Sequence, residues 1–403
     1  MNNRTRREFL HSAAALSISS LATPGRAIEP DPQPLFLLHL FANGGWDCAS
    51  FCDPKINTNG TINTWAKTQT IKQAGALRYA PIAENERFFS RHYDKTLVIN
   101  GINAQTNVHS AGRLTSLTGH NKNGYPSLCA LYAAHQNNQL PMPLLVGNSF
   151  ETAGVIAATQ INGGLIELLK RPVATDQKYL NPAQQQLMDN AISQSLGNSG
   201  ADTFYRTAIF SKQDALADTV GLYQSLNNAD LVKSSAVIND IKFAMAAFAA
   251  GTSLACDYSI SGFDTHTDHD KNILAPLSNL TLAADAAWYF AEQLGIDHRL
   301  LVVINSEFGR TPFYNDVAGK DHWPFHSAII MKKNVRWTNR VVGQTDERLV
   351  GTPLNLTTLA PDPNGALLDM GHIQLALRQL LGLTPAVTQK YSLNSAALDG
   401  LFS

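Results

Sequence analysis

The chain has 403 residues, with 31 Lys+Arg against 32 Asp+Glu and a formal charge of −1. That balance excludes the basic footprint of a nucleic-acid binder and a polybasic membrane patch. Apolar residues make up 44% and charged residues 16%, so the chain has enough apolar surface for a large core and is not disordered throughout.

Residues 1–27 read as an export signal. Arg4, Arg6 and Arg7 form a charged start, Ala13 to Ala22 a short run of small and apolar residues, and Pro24, Gly25 and Ala27 a cleavage region. The string Thr5-Arg6-Arg7-Glu8-Phe9-Leu10 resembles a twin-arginine signal. It implies a periplasmic or secreted protein, handled as a precursor by the twin-arginine machinery. The apolar run is too short to span a bilayer, so no stable membrane anchor is expected. Outside the cytoplasm disulfides are permitted. The four cysteines, Cys48, Cys52, Cys129 and Cys256, are too few for a disulfide scaffold. Cys48 and Cys52 pair only if their loop bends suitably; buried free thiols are the alternative.

Leu35 to Phe41 is a nearly continuous apolar run ended by Asn43-Gly44-Gly45, the pattern of a strand buried on both faces. Further strands are expected at Thr96 to Ile102, Pro143 to Val146, Thr252 to Ile260, Leu300 to Asn305 and Ser327 to Met331. Helical patterns lie between them, at Ser110 to Leu117, Ser127 to His135, Pro182 to Leu196, Asp202 to Leu226, Leu231 to Ala250, Leu274 to Leu294 and Met370 to Leu381. Strands separated by helices argue for one α/β domain over 28–403: a mainly parallel sheet with helices on both faces. Residues 150–230 show no convincing strand and read as a helical insertion. Leu349 to Ala366 is a loop by its Pro and Gly content.

Polar clusters follow the buried strands, and in open α/β sheets ligands bind where strands end. One rim is therefore expected to hold Asp47, His109, Asp264, His266 or His269, and Glu307. Asp321-His322-Trp323-Pro324 precedes a strand instead. The connection from Glu307 to His326 has no helical pattern, which suits an antiparallel pair and would bring His322 towards Glu307. Carboxylates and imidazoles suit zinc, manganese, iron or magnesium better than an iron–sulfur cluster. Structural roles compete with each of these assignments. Asp264 would be a helix N-cap, His269 an exposed residue, Glu307 an ion-pair partner of Arg310, and Asp47 a turn residue. A serine triad is a rival too. Val108-His109-Ser110-Ala111-Gly112 approaches a nucleophile elbow, with Asp264 and His322 following, but Val108 replaces the first glycine.

The strings Gly44-Gly45-Trp46-Asp47, Val108-His109-Ser110, Phe263-Asp264-Thr265-His266, Ser306-Glu307-Phe308-Gly309-Arg310-Thr311-Pro312 and Asp321-His322-Trp323-Pro324-Phe325 resemble the DUF1501 family. These are exported bacterial proteins with an alkaline phosphatase/sulfatase-like fold. The resemblance implies one or two divalent ions, zinc among the candidates, held by Asp47, Asp264, His266 or His269, Glu307 and His322. It places Ser110 or His109 in the nucleophile region. Phe308 stands where the superfamily has a second histidine, and the sulfatase Cys-x-Pro-x-Arg string is absent. Two functions are expected. One is a metal-dependent hydrolase of phosphate or sulfate esters, with Arg310 or Arg113 stabilising charge. The other is a non-catalytic binding protein for a small anionic ligand or a partner, on the same scaffold.

Overall fold

The computed structural model describes residues 33–56, 62–136, 139–148, 154–162, 215–228, 231 and 235–403. The expected export signal and most of the expected helical insertion, including Pro182 to Leu196, lie outside the described residues. From Pro34 onward the described chain forms one compact unit.

Twelve strands occur among the described residues: β1 (Phe36–Asn43), β2 (Lys72–Ala74), β3 (Leu77–Tyr79), β4 (Thr96–Asn103), β5 (Leu144–Gly147), β6 (Ala158–Gln160), β7 (Ala255–Ser261), β8 (Leu300–Ser306), β9 (Gly309–Arg310), β10 (His322–Trp323), β11 (Phe325–Lys332) and β12 (Arg340–Val342). Eight of them form one sheet in the order β12-β4-β11-β8-β1-β7-β5-β6. All its neighbours are parallel except β11, which runs antiparallel to both β4 and β8. Strand β1 lies at the centre, flanked by β7 and β8, and its residues from Phe36 to Ala42 are all buried. Its unbroken apolar run answers to that double burial.

The helices form two groups: α1 (Asn85–His92) with α4 (Ala236–Ala249) and α5 (Leu274–Gln293), and α2 (His109–Thr118) with α3 (Leu128–Gln136) and α6 (Met370–Leu380). Each group packs on the sheet, which gives the α/β sandwich expected from the sequence. Buried alanines let α5 lie close to the sheet and to α4: Ala283, Ala284, Ala286, Ala287 and Ala291. Its one buried carboxylate, Asp285, is taken by Arg87 and His92 of α1.

The expected strands are all present. Two short edge strands, β6 and β12, were not foreseen, and β6 corrects the reading of 150–230 as free of strands. Residues 215–225 are helical, within the expected Asp202 to Leu226 pattern. All four cysteines are buried free thiols. No helix among the described residues is long and apolar enough to cross a membrane.

Candidate functional site

Strands β1, β4, β7 and β8 end at the same edge of the sheet, and antiparallel β11 begins there. The segments leaving this edge carry Gly44 to Asp47, Asp264 to His269, Glu307 and Arg310. Strand β4 leads to the start of α2, where His109 is the first helical residue and Ser110 the second. Just before β11, β10 pairs antiparallel with β9, setting His322 opposite Arg310. The antiparallel connection read from the sequence is therefore present. It puts the His322 ring 4.5 Å from those of His109 and Phe308.

Three imidazoles surround the Asp264 carboxylate. Nε2 of His266 lies 3.0 Å from Asp264 Oδ1, Nε2 of His322 lies 3.4 Å from Oδ1, and Nε2 of His109 lies 3.5 Å from Oδ2. One ligand-type atom each of His109, Asp264 and His322 falls within 4.8 Å of the other two. The opposite nitrogens are all engaged. Nδ1 of His266 donates to Asp321 Oδ1 at 2.7 Å, Nδ1 of His322 to the Asn107 carbonyl at 2.7 Å, and Nδ1 of His109 to Glu307 Oε1 at 2.9 Å. An oxygen acceptor behind Nδ1 fixes the tautomer, so each neutral ring presents an Nε2 lone pair to Asp264.

Arg310 organises this cluster from below. Its buried guanidinium donates to the carbonyls of Gly44, Gly45 (2.8 Å) and Lys320 (2.9 Å), and to Asp264 Oδ1. Burial alone would raise the Asp264 carboxyl, but the Arg310 hydrogen bond and charge outweigh it and hold the group below its ordinary range. Burial, with the charges of Arg310 and His109, pushes His322 down against its bond to Asn107, favouring the neutral ring. Asp321 is held low chiefly by its His266 hydrogen bond.

A second, closed pocket lies behind. Asp47 Oδ2 accepts from Ser50 Oγ (2.7 Å), His269 Nε2 (2.9 Å) and Lys320 Nζ (2.7 Å), and Oδ1 accepts from the Ala49 amide (3.0 Å). The Asp47, His269 and Lys320 side chains have no exposure. Burial by itself would raise Asp47, yet Lys320 and His269 keep it well below the carboxylate range. His269 is pushed down by burial despite Asp47.

The structure therefore sorts the residues expected at the rim. Asp264, His266, His322 and His109 come together, with Arg310 beneath. Glu307 is fully buried and stands behind His109; it also accepts from the Gly44 amide at 2.9 Å and forms no ion pair with Arg310. Asp47 and His269 do not join the open cluster. His269 is buried rather than exposed, and Asp264 caps no helix. The exposed Ser110 hydroxyl has no hydrogen-bond partner among the described residues, so no serine–histidine pair forms. Asp321 and Lys320 were missed. Asp321 adjoins His322 in a string already noted, whereas nothing in the sequence marks Lys320 as buried.

The comparisons bear on this arrangement. The DUF1501 family model matches residues 245–347. Its description is a protein of unknown function, and the matched segment carries Asp264, His266, Glu307, Arg310 and His322. The resemblance read from the sequence is borne out over those residues. No curated relative matches significantly. Among solved structures the chain is similar to Ps i-CgsB in complex with k-i-k-neocarrahexaose, with 9% identity, a TM-score of 0.43, and coverage of 90% of this chain and 75% of that one. It is similar to the PsFucS1 sulfatase from Pseudoalteromonas sp., with 10% identity, a TM-score of 0.43, and coverage of 92% and 72%. It is also similar to the alkaline phosphatase of the Antarctic bacterium TAB5, with 12% identity, a TM-score of 0.36, and coverage of 76% and 94%.

Proposed function

We propose that the chain is an exported, metal-dependent hydrolase of phosphate or sulfate esters. One observation carries the reading: three imidazoles, each with Nδ1 held by an oxygen acceptor, turn Nε2 to a single carboxylate. Nitrogen and carboxylate donors oriented from behind suit a divalent ion such as zinc, so the residues present fit one. Asp264, His109 and His322 would hold it, with His266 as a fourth ligand in this proposal. Bound there, the ion supplies Lewis-acid polarisation of an ester oxygen.

The chain's own groups do the rest. Asp321 and Glu307 keep the Nδ1 protons of His266 and His109 in place. Arg310, its fork fixed by three carbonyls, keeps a positive charge beside the centre where oxyanion charge develops. Ser110 presents a hydroxyl in the first turn of α2, where free backbone N–H groups and the helix dipole favour an anion. Ser110 is the nucleophile in this proposal, and Arg113 lies one turn further along the helix. Export by the twin-arginine route rests on the string from Thr5 to Leu10.

Phe308 favours a second reading. Its buried ring packs against His109 at 5.0 Å and His322 at 4.5 Å, closing one side of the cluster with a group that donates nothing. A binding protein for the same anions, without turnover, follows from that.

Elemental analysis of the purified chain, followed by assays on aryl phosphates and aryl sulfates after loading with zinc, manganese or magnesium, tests both. Near-stoichiometric metal and hydrolysis, both lost in Asp264→Ala/His322→Ala, is the expected result. Metal without hydrolysis supports the binding reading. No metal under any loading overturns the metal centre.

A further inference from the structure

The closed pocket has donors of the same types as the open cluster: a carboxylate, an imidazole and hydroxyls. Asp47, His269, Ser50 and Thr265 come from two separate loops and meet with no exposed charge. His269 Nδ1 lies 2.7 Å from Thr265 Oγ1, and its Nε2 is directed to Asp47. Beside its bond from His269, the Asp47 carboxylate holds a cation, and that cation is part of the chain. Lys320 Nζ donates to Asp47 Oδ2 at 2.7 Å, reaches Asn63 Oδ1 at 3.4 Å and lies 5.2 Å from the centre of the Tyr314 ring. Two of the ammonium's three protons go to Asp47 and Asn63, and the Tyr314 ring faces the charge.

We infer that Lys320 takes the place of a metal ion at the Asp47–His269 pocket, so that this pocket binds none and, of the two sites, only the Asp264 cluster holds an exchangeable metal. The inference deepens the proposed metal centre and rests on it. Charge supports it. The Lys320 ammonium already balances Asp47, and a divalent ion added to a fully buried pocket with one carboxylate would leave uncompensated charge. The open cluster differs. Asp264 also pairs with Arg310, but its side chain is half-exposed, so water screens the charge that a bound ion would add.

Lys320 also joins the two sites through its backbone. Its N–H donates to the Thr265 carbonyl at 2.9 Å and its carbonyl accepts from Arg310 Nη1 at 2.9 Å. The segment carrying the built-in cation thus holds the arginine beneath the open cluster and steadies the loop that carries Asp264 and His266. A mobile metal in this pocket would make that support depend on metal supply. A covalently attached ammonium does not.

Counting zinc per chain, by calorimetric titration and elemental analysis of the full chain, tests this. Lys320→Met removes the ammonium at similar volume and is expected to bind one equivalent more than the wild type. That increment is lost again in Lys320→Met/Asp47→Asn. An unchanged count in folded Lys320→Met overturns the inference. His269→Gln in the otherwise native chain is expected to leave the count unchanged, and loss of one equivalent there also overturns it. This arm decides the matter if Lys320→Met does not fold. If the wild type binds no zinc, the metal reading of the open cluster fails, while the increment in Lys320→Met still reports on Lys320.

Discussion

Nε2 of His266 lies 2.9 Å from Nε2 of His322, and the Nδ1 of each ring is already donated to oxygen. Two lone pairs do not face one another at that distance without a cation or a proton between them. The side chain that sets up this arrangement most directly is Asp321, half-exposed at the surface. Asp321→Asn keeps the shape but no longer demands the Nδ1 proton of His266. Outer partners of metal-bound histidines are typically worth about 10–100-fold in metal affinity. Zinc competition with a chromophoric chelator is expected to show a loss in that range, with thermal stability nearly unchanged. Equal affinity in the two proteins would count against His266 as part of the centre.

Arg310→Lys tests the support from beneath. The guanidinium spans three backbone carbonyls and a carboxylate from one rigid plane, which a flexible ammonium cannot reproduce. Carbonyls of Gly44, Gly45 or Lys320 would lose their donor. Each buried group left unsatisfied costs about 1–3 kcal/mol, so a loss of roughly 2–4 kcal/mol is expected in urea unfolding. Asp264→Asn should cost less, because its side chain is half in water. A milder effect of Arg310→Lys than of Asp264→Asn would reverse the assignment of Arg310 as the organising group.

Gly44 joins β1 to the site through backbone shape alone. Its φ of +123° suits glycine, and a Cβ placed there would lie 2.4 Å from the Asp264 amide nitrogen. Gly44→Ala must therefore strain the turn and push Asp264 away. Gly251 makes a control: its φ is +70°, and a Cβ there would meet no atom within 4 Å. Gly251→Ala is expected to cost about 1 kcal/mol from backbone strain, and Gly44→Ala roughly 2–4 kcal/mol. Only Gly44→Ala should weaken zinc binding, although neither residue is a ligand.

The long strands and the rim were legible because buried parallel strands write themselves as apolar runs, as in Leu35 to Phe41 and Leu300 to Asn305. Edge strands β6 and β12 have three residues each, too few to show a period. The choice between His266 and His269 was not legible either. It turns on Asp268, whose left-handed backbone (φ 42°) precedes the helical turn His269–Asn272. His269 is thereby buried against Asp47 while His266 stays at the open cluster. Lys320 was invisible because its partner, Asp47, is 273 residues away in sequence. A buried lysine has no local signature; only the fold reveals what neutralises it.

His326 sets a pH dependence that is separate from the cluster. It is fully buried in β11, and no carboxylate is hydrogen-bonded to its ring. Burial pushes it from its ordinary 6.5 down to about 3. In the unfolded chain the ring binds a proton below about 6.5, while in the folded chain it stays neutral until about 3. The unfolded state therefore binds more protons across that window. The stability linked to His326 is fully present above it and is lost progressively as pH falls through it. One proton corresponds to a slope of about 1.4 kcal/mol per pH unit. His326→Leu, which cannot be protonated, is expected to reduce the slope of unfolding free energy against pH by up to that amount. His92, His269 and His322 are also pushed down, chiefly by burial, so part of the acid sensitivity must remain in the variant. Urea titrations at about pH 5 and about pH 7.5 on both proteins give the two slopes. If they are equal, His326 takes up its proton in the folded state as readily as in the unfolded one, and its burial in β11 carries no such penalty.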